Sequence, residues 1–223
     1  MRNVLNVKKD SVLESIKNRI KYLEYKPGDN LNEKLIAEEL QVSRTPVREA
    51  LLILKGENFV EIFPQSGTYV SKINLNYVKE LVYMRHILET EILVNLAHKK
   101  LPILNQVEKY LYLQELAIKS NDVVEYITND DEFHKMLFSI AGHEYIWSVI
   151  ASTRMHHTRF RVLDMQQPVA LPSSYNEHKM IVEYLENNEV DKLGKILSYH
   201  HDCELRESGA IIKKYPEYFV EQI

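Results

Sequence analysis

Cysteine is nearly missing from this chain. Cys203 stands alone among 223 residues, so no intramolecular disulfide can form. Doing without disulfides fits a reducing compartment, and a cytoplasmic location is expected. Glycine and proline are scarce, at six and seven residues; few tight turns and long helices follow. No stretch reaches the roughly 18 uncharged apolar residues that a membrane-spanning helix needs. The opening MRNVLNVKKDSV lacks the apolar core of a secretory signal. Histidine is absent from the first 73 residues, and all nine come later.

What is present describes a globular protein. Apolar residues make up 45% and charged ones 27%, well away from the composition of disorder. At about 150 residues per domain the length allows one large domain or two small ones. Net charge is −4, unevenly spread: residues 1–73 carry 12 Lys+Arg against 10 Asp+Glu, and the remainder 16 against 22. A weakly basic front and an acidic, histidine-rich back predict two domains, 1–73 and 74–223, with different partners.

In the first domain, Val12, Ile16, Ile20 and Leu23 recur at helical spacing over residues 9–22. Lys26-Pro27-Gly28-Asp29 is a turn signal. A short helix follows over Glu33–Leu40, with Leu35, Ile36 and Leu40 on one side, and Gln41-Val42 breaks it. Ser43 is the natural N-cap of a second helix reaching about Gly56. Pro46 is tolerated because the first turn has no intrahelical use for its N–H. Val47, Ala50, Leu51 and Leu54 form the buried stripe, which leaves Arg44, Thr45 and Arg48 exposed near the helix start. Phe59–Phe63 and Thr68–Lys72, joined by Pro64-Gln65-Ser66-Gly67, read as a hairpin. Helix, break, helix and hairpin make a winged helix-turn-helix, whose second helix enters the major groove N-terminus first. Arginine offers guanine a two-donor fork, threonine can meet a thymine methyl, and helix-start N–H groups can hold phosphate.

The stretch PGDNLNEKLIAEELQVSRTPVREALLILKGENFVEIFPQSGTYV, residues 27–70, resembles the DNA-binding domain of GntR-family bacterial transcription regulators, most specifically over Val42–Leu51. The resemblance implies that Lys34, Ser43, Arg44, Thr45 and Arg48 contact DNA and that Gly67 approaches the minor groove. Two departures stand out: Gln65-Ser66 replaces the usual basic wing residue, and Glu57-Asn58 replaces the usual Glu-Gly.

From Asn74 onward helix follows helix, expected over residues 76–98, 104–119, 122–142, 144–163, 173–187 and 190–208. MQQPVALPSS, residues 165–174, reads as a loop, and Ser174-x-x-Glu177 as a capping box opening the fifth helix. Arg85 falls on an apolar stripe with Val78, Leu81, Val82, Leu88 and Ile92, so it needs a partner or a polar cavity. Asp130 and His134 share a face with Leu137 and Ala141. His178 lies with Ile181 and Leu185, and His200 continues Val190, Leu193 and Leu197. His201 sits about 100° off that last stripe. One aspartate and three histidines turned into a helical core suit a first-row divalent ion such as Zn, Ni or Mn, and equally suit four core residues bonded to one another.

Residues 76–208 resemble the all-helical FadR C-terminal domain (FCD) found in one branch of GntR regulators. Arg85-x-x-Leu88-Glu89, Asp130-x-x-Phe133-His134 and His178 with His200 carry the likeness. The resemblance implies a metal held by Asp130, His134, His178 and His200, and an effector cavity faced by Arg85; Arg159 is a further candidate for the effector. The expected fold class is therefore mainly α: an N-terminal winged helix-turn-helix followed by an all-α helical-bundle effector domain. The expected protein is a homodimeric, ligand-responsive regulator with one divalent ion per chain, a small carboxylate effector and double-stranded operator DNA as its partner. A metal sensor, in which the ion itself is the signal, is the nearest alternative. A metallohydrolase would need a poised general base, and no His-Glu-x-x-His motif occurs, so no enzymatic activity is expected.

Overall fold

The computed structural model describes residues 2–167, 169–203 and 205–221, with side chains from Ser11 onward. Pro168, in the expected loop, and Glu204, in the expected last helix, lie outside the described residues. The chain divides into two compact units: residues up to Asn74 together with the segment from Tyr215, and Leu75–Lys214. The C-terminal segment was expected with the second domain, but it returns to the first. Ile73 N–H donates to the Tyr218 carbonyl at 2.8 Å, and Val220 N–H to the Ile73 carbonyl at 3.0 Å.

In the first unit, helix α1 (Arg2–Lys21) buries Val12, Ile16 and Ile20. It ends before Leu23, which turns to a left-handed φ of 64°. Lys26–Asp29 forms a type II turn, with Pro27 second and Gly28 third at φ 90°. Asn32 caps α2 (Glu33–Glu39), its side chain accepting from the Lys34 and Leu35 N–H groups. Leu35 was expected on the buried side but is exposed; Ile36 and Ala37 face inward. Gln41, at φ 54°, makes the break, and Ser43 precedes α3 (Arg44–Gly56), which buries Val47, Ala50, Leu51 and Leu54.

Helix α3 ends in a Schellman closure. Phe59 N–H reaches the Leu54 carbonyl and Asn58 N–H the Lys55 carbonyl, with Asn58 at φ 61° where glycine is usual. Asn121 and Asn188 also take left-handed φ just past helix ends, so asparagine does much of the turn chemistry that the few glycines leave undone. Strands β1 (Val60–Phe63) and β2 (Gly67–Val70) pair antiparallel through Val60↔Val70 and Phe63↔Gly67. Asn30 bridges to Tyr69 on the far side of β2. Gly67 stands at φ 130°, and a Cβ there would meet Asn30 Nδ2 at 2.8 Å.

Among its described residues the regular elements of the second unit are all helices: α4 (Leu75–Ala97), α5 (Leu104–Ser120), α6 (Val123–Ala141), α7 (Glu144–Thr153), α8 (Met155–Asp164), α9 (Ala170–Glu186), α10 (Val190–Cys203) and α11 (Ser208–Lys214). Helix α5 packs on α6 and α9, while α10 packs on both α4 and α9. Leu93, Val107, Phe133, Leu137, Ile181 and Leu197 lie in the shared core.

Two expectations change here. The helix expected over 144–163 breaks at Arg154, whose guanidinium pairs with Asp131 and lies over the Trp147 ring at 5.5 Å. Helix α9 starts at Ala170, within the expected loop. Pro172 falls in its first turn, where no intrahelical N–H is required. Ser174 and Glu177 consequently lie inside α9, buried, rather than capping it.

Candidate metal centre and nucleic-acid interface

Three helices bring the expected imidazoles together. His134 comes from α6, His178 from α9 and His200 from α10; all three are buried, with one ligand atom of each within 4.8 Å of the others. Ring centroids stand 5.0 to 5.4 Å apart. Two of the rings are held from behind by hydrogen bonds at Nδ1, and the third stands beside a carboxylate without a hydrogen bond to it. His200 Nδ1 lies 2.7 Å from Glu177 Oε2, His178 Nδ1 2.8 Å from Gln114 Oε1, and His134 Nδ1 3.1 Å from Glu89 Oε2. The Gln114 amide is itself oriented, its Nε2 donating to the Asn129 carbonyl at 3.4 Å. For His178 and His200 the acceptor at Nδ1 places the proton there and leaves Nε2 with its lone pair, the arrangement that metal-ligating histidines use.

The fourth expected ligand stands beside this trio. Asp130 Oδ2 accepts from Arg161 Nη1 at 2.7 Å, and Oδ1 lies 3.4 Å from His178 Nε2. Burial opposes charge on Asp130, but Arg161 and the flanking His134 and His178 outweigh it and hold the carboxyl far below its ordinary range. Burial keeps His178 well below the ordinary imidazole value, hence neutral. His134 Nδ1 and Nε2, His178 Nε2 and Asp130 Oδ1 are buried without a hydrogen-bond partner. Buried polar atoms in folded proteins are nearly always satisfied. Unpartnered lone-pair donors on two of the three converging imidazoles, with Asp130 Oδ1 3.4 Å from one of them, fit a cation.

Glu89 was not singled out as a site residue in its own right. Fully buried on α4, it accepts from Arg85 Nε at 2.9 Å through Oε1; Oε2 faces His134 and, at 3.3 Å, His201 Nε2. Burial opposes its charge, yet Arg85, His134 and His201 keep it well below the carboxylate range. His201 is thus inward, because α10 packs against both α4 and α9 and so buries a wider arc than one stripe. His156 and His157 are buried on α8, whereas His98 and His143 are exposed.

A cavity of about 140 Å³ opens beside His200 and Glu177. Arg161, Arg206, Ser173 and Cys203 also line it. Arg85 and Arg159, expected at the effector, are not among its described lining residues. Arg85 is committed to Glu89, and Arg159 lies fully buried with Nη2 3.1 Å from His156 Nδ1.

In the first unit, Lys34, Ser43, Arg44, Thr45 and Arg48 are all exposed on α2, at the α3 cap or on α3. Gly67 is half-buried at the start of β2. Ser43 makes no side-chain cap bond.

Comparison with known proteins agrees with this geometry. The model of "Bacterial regulatory proteins, gntR family" matches residues 8–70, and that of the FCD domain matches residues 80–202. The chain belongs to the GntR family of bacterial transcription regulators, in the branch that carries an FCD effector domain. It is 27% identical over 193 residues to the HTH-type transcriptional repressor RspR of Escherichia coli, covering 84% of this chain and 82% of that one. It is 30% identical over 157 residues to the gluconate operon transcriptional repressor of Bacillus subtilis, covering 70% and 63%. The fold is similar to that of E. coli McbR/YncC, with a TM-score of 0.73 at 19% identity over 93% of this chain and 98% of that one. Among the described residues no helix is long and apolar enough to cross a membrane.

Proposed function

We propose that this regulator is a cytoplasmic homodimer, without enzymatic activity, that holds one divalent transition ion per chain and responds to a small carboxylate. The observation carrying this reading is the cluster of three buried imidazoles, two of them oriented through Nδ1, beside a carboxylate oxygen that no donor meets. His134, His178, His200 and Asp130 are the ligands. Imidazole-rich sites suit Zn or Ni, and Mn is admitted by the carboxylate. Four protein ligands leave open positions on an octahedral ion, which supplies a Lewis-acid point for an oxygen anion. Arg161 and Arg206, lining the cavity beside His200, are the cations an incoming carboxylate meets. Arg85 acts through Glu89.

Lys34, Ser43, Arg44, Thr45, Arg48 and Gly67 form the DNA-contacting set, on a palindromic operator that matches the dimer's two-fold symmetry. The effector alters operator affinity by a coupling of about 1–3 kcal/mol, and linkage makes the effect reciprocal.

Elemental analysis of the purified protein, followed by calorimetric titration of di- and hydroxycarboxylic acids into metal-loaded and metal-stripped forms, tests this. An acid that binds only the loaded form and changes operator affinity is the expected result. If the ion alone, with no acid, switches operator binding, the protein is a metal sensor. If no ion binds, the four residues are structural.

A further inference from the structure

Arg48 does not stand free on the recognition helix. Its guanidinium meets Glu33, the first residue of α2, through three contacts: Nε to Oε1 at 3.2 Å, Nε to Oε2 at 3.2 Å, and Nη2 to Oε2 at 2.9 Å. Asn32 fixes where α2 begins, and so fixes where Glu33 stands. The Arg48 side chain is 67% exposed, and a pair so open to solvent contributes little to stability. Its consequence is geometric. A side-on grip uses Nε–H and one N–H of Nη2. That leaves the far edge, from Nη1 to the outer hydrogen of Nη2, as the two-donor fork that fits guanine O6 and N7.

We infer that Glu33 is a positioning residue for sequence readout: it grips one edge of Arg48 and presents the other to a guanine in the major groove. The inference rests on the reading of α3 as the recognition helix and of Arg48 as a base reader. The same carboxylate adds a negative charge to a surface that meets phosphates, and such a charge weakens binding to every sequence. Glu33 therefore acts in opposite directions on specific and non-specific DNA. A residue that merely repels DNA, or merely supports the fold, moves both the same way.

The test uses the full-length protein. Selection from a randomised duplex pool yields its preferred duplex, and affinities for that duplex and for a scrambled one are measured for wild type, Glu33→Gln, Glu33→Asp, Arg48→Ala and the Glu33→Gln/Arg48→Ala double variant. Melting curves confirm folding of each. Glu33→Gln is expected to weaken the selected duplex about 5–20-fold, a part of what a bidentate base contact supplies, and to tighten the scrambled one about 3-fold. Preference for guanine at one position per half-site falls with it. Glu33→Asp, which keeps the charge and loses the reach, is expected to lose specificity without the non-specific gain. In the Arg48→Ala background, Glu33→Gln costs the selected duplex nothing further. If Glu33→Gln tightens both duplexes alike, the carboxylate is only a repulsive charge and the inference is overturned. If Arg48→Ala itself leaves both affinity and guanine preference unchanged, the recognition-helix reading is what has failed.

Discussion

Glu177→Gln probes the cage behind the imidazoles with little change of shape. Glu177 Oε2 accepts a hydrogen bond from His200 Nδ1 at 2.7 Å, and Oε1 accepts from Ser173 Oγ at 2.9 Å. Glutamine keeps an oxygen for His200 and offers an NH₂ to a hydroxyl that can rotate to accept it. The charge that makes the imidazole a better ligand is lost. Removing such an outer partner typically lowers metal affinity about 10–100-fold, or about 1.4–2.8 kcal/mol at 1.4 kcal/mol per tenfold. With the ion in excess, stability falls by the same amount, because linkage follows the logarithm of the dissociation constant. At about 2–4 °C per kcal/mol for a unit of this size, the metal-loaded protein should melt roughly 3–11 °C lower. In excess chelator, wild type and variant should melt within about 2 °C of each other, the equivalent of at most about 1 kcal/mol. Scanning calorimetry of both proteins, loaded and chelated, reads the four values. An equal drop in the two conditions would refute the reasoning, since Glu177 would then be supporting the helices rather than the ligand.

Other outcomes follow from separate parts of the molecule. Arg48→Ala should cost about 1–3 kcal/mol on the preferred duplex, whereas Lys34→Ala should weaken all sequences and lower the salt slope by about one, both read by titration at several salt concentrations. Asn58→Gly relieves a left-handed residue worth about 1–2 kcal/mol, offset by about 0.4–1 kcal/mol of added chain entropy. The first unit should therefore gain up to about 1.6 kcal/mol, measured as a urea midpoint. His156 is pushed down to about 4 by burial, with Arg159 adding to it. The unfolded chain then takes the proton first as pH falls, so stability is full above about 6.5 and is lost towards pH 4, by up to about 3 kcal/mol. His156→Gln should flatten that limb in urea titrations at pH 7, 5.5 and 4.5; an unchanged slope would show that His156 is not the responsible group.

How far the sequence could be read depended on whether one stripe determines burial. Helix α3 packs through a single face, and its four buried residues follow the 3.6-residue period. Helix α10 lies between two neighbours, so His201, outside the stripe, is buried as well. Helix α8 carries no stripe at all: every residue from Met155 to Asp164 is buried, although the segment is MHHTRFRVLD. A wholly buried helix is ordinarily apolar all round. This one is polar because it supplies partners, Arg161 to Asp130 among them. The break at Arg154 has no glycine or proline to announce it, since tertiary contacts to Asp131 and Trp147 hold it. The imidazoles were legible through their apolar neighbours, but their supports were not. Gln114 continues the Val107–Leu111 face and is a buried amide, a polar residue on an apolar stripe that could have been noticed. Glu177 looked like half of a capping box because the true start of α9, at Ala170, sits behind Pro172.

Charge around the three imidazoles leads to one last expectation. Glu89, Asp130 and Glu177 bring three formal negative charges within contact of the rings, while Arg85 and Arg161 bring two positive ones. Burying an unbalanced charge costs several kcal/mol, so this cage favours a cation. A divalent ion, which the imidazoles prefer over a monovalent one, exceeds the deficit by one charge, and one carboxylate on the open face restores balance. A second carboxylate on the same acid reaches towards Arg206, which is exposed, and exposed pairs add at most about 1 kcal/mol. The ligand requirement should therefore be one carboxylate at the ion, with the rest of the molecule tuning affinity. For whichever acid the calorimetric screen returns, replacing the metal-bound carboxylate by a primary amide should lower affinity by at least about tenfold, since a charge-assisted contact is roughly twice as strong as a neutral one. Replacing the distal carboxylate should lower it less than about fivefold. Equal binding of the acid and its amide would mean that charge balance does not select the effector.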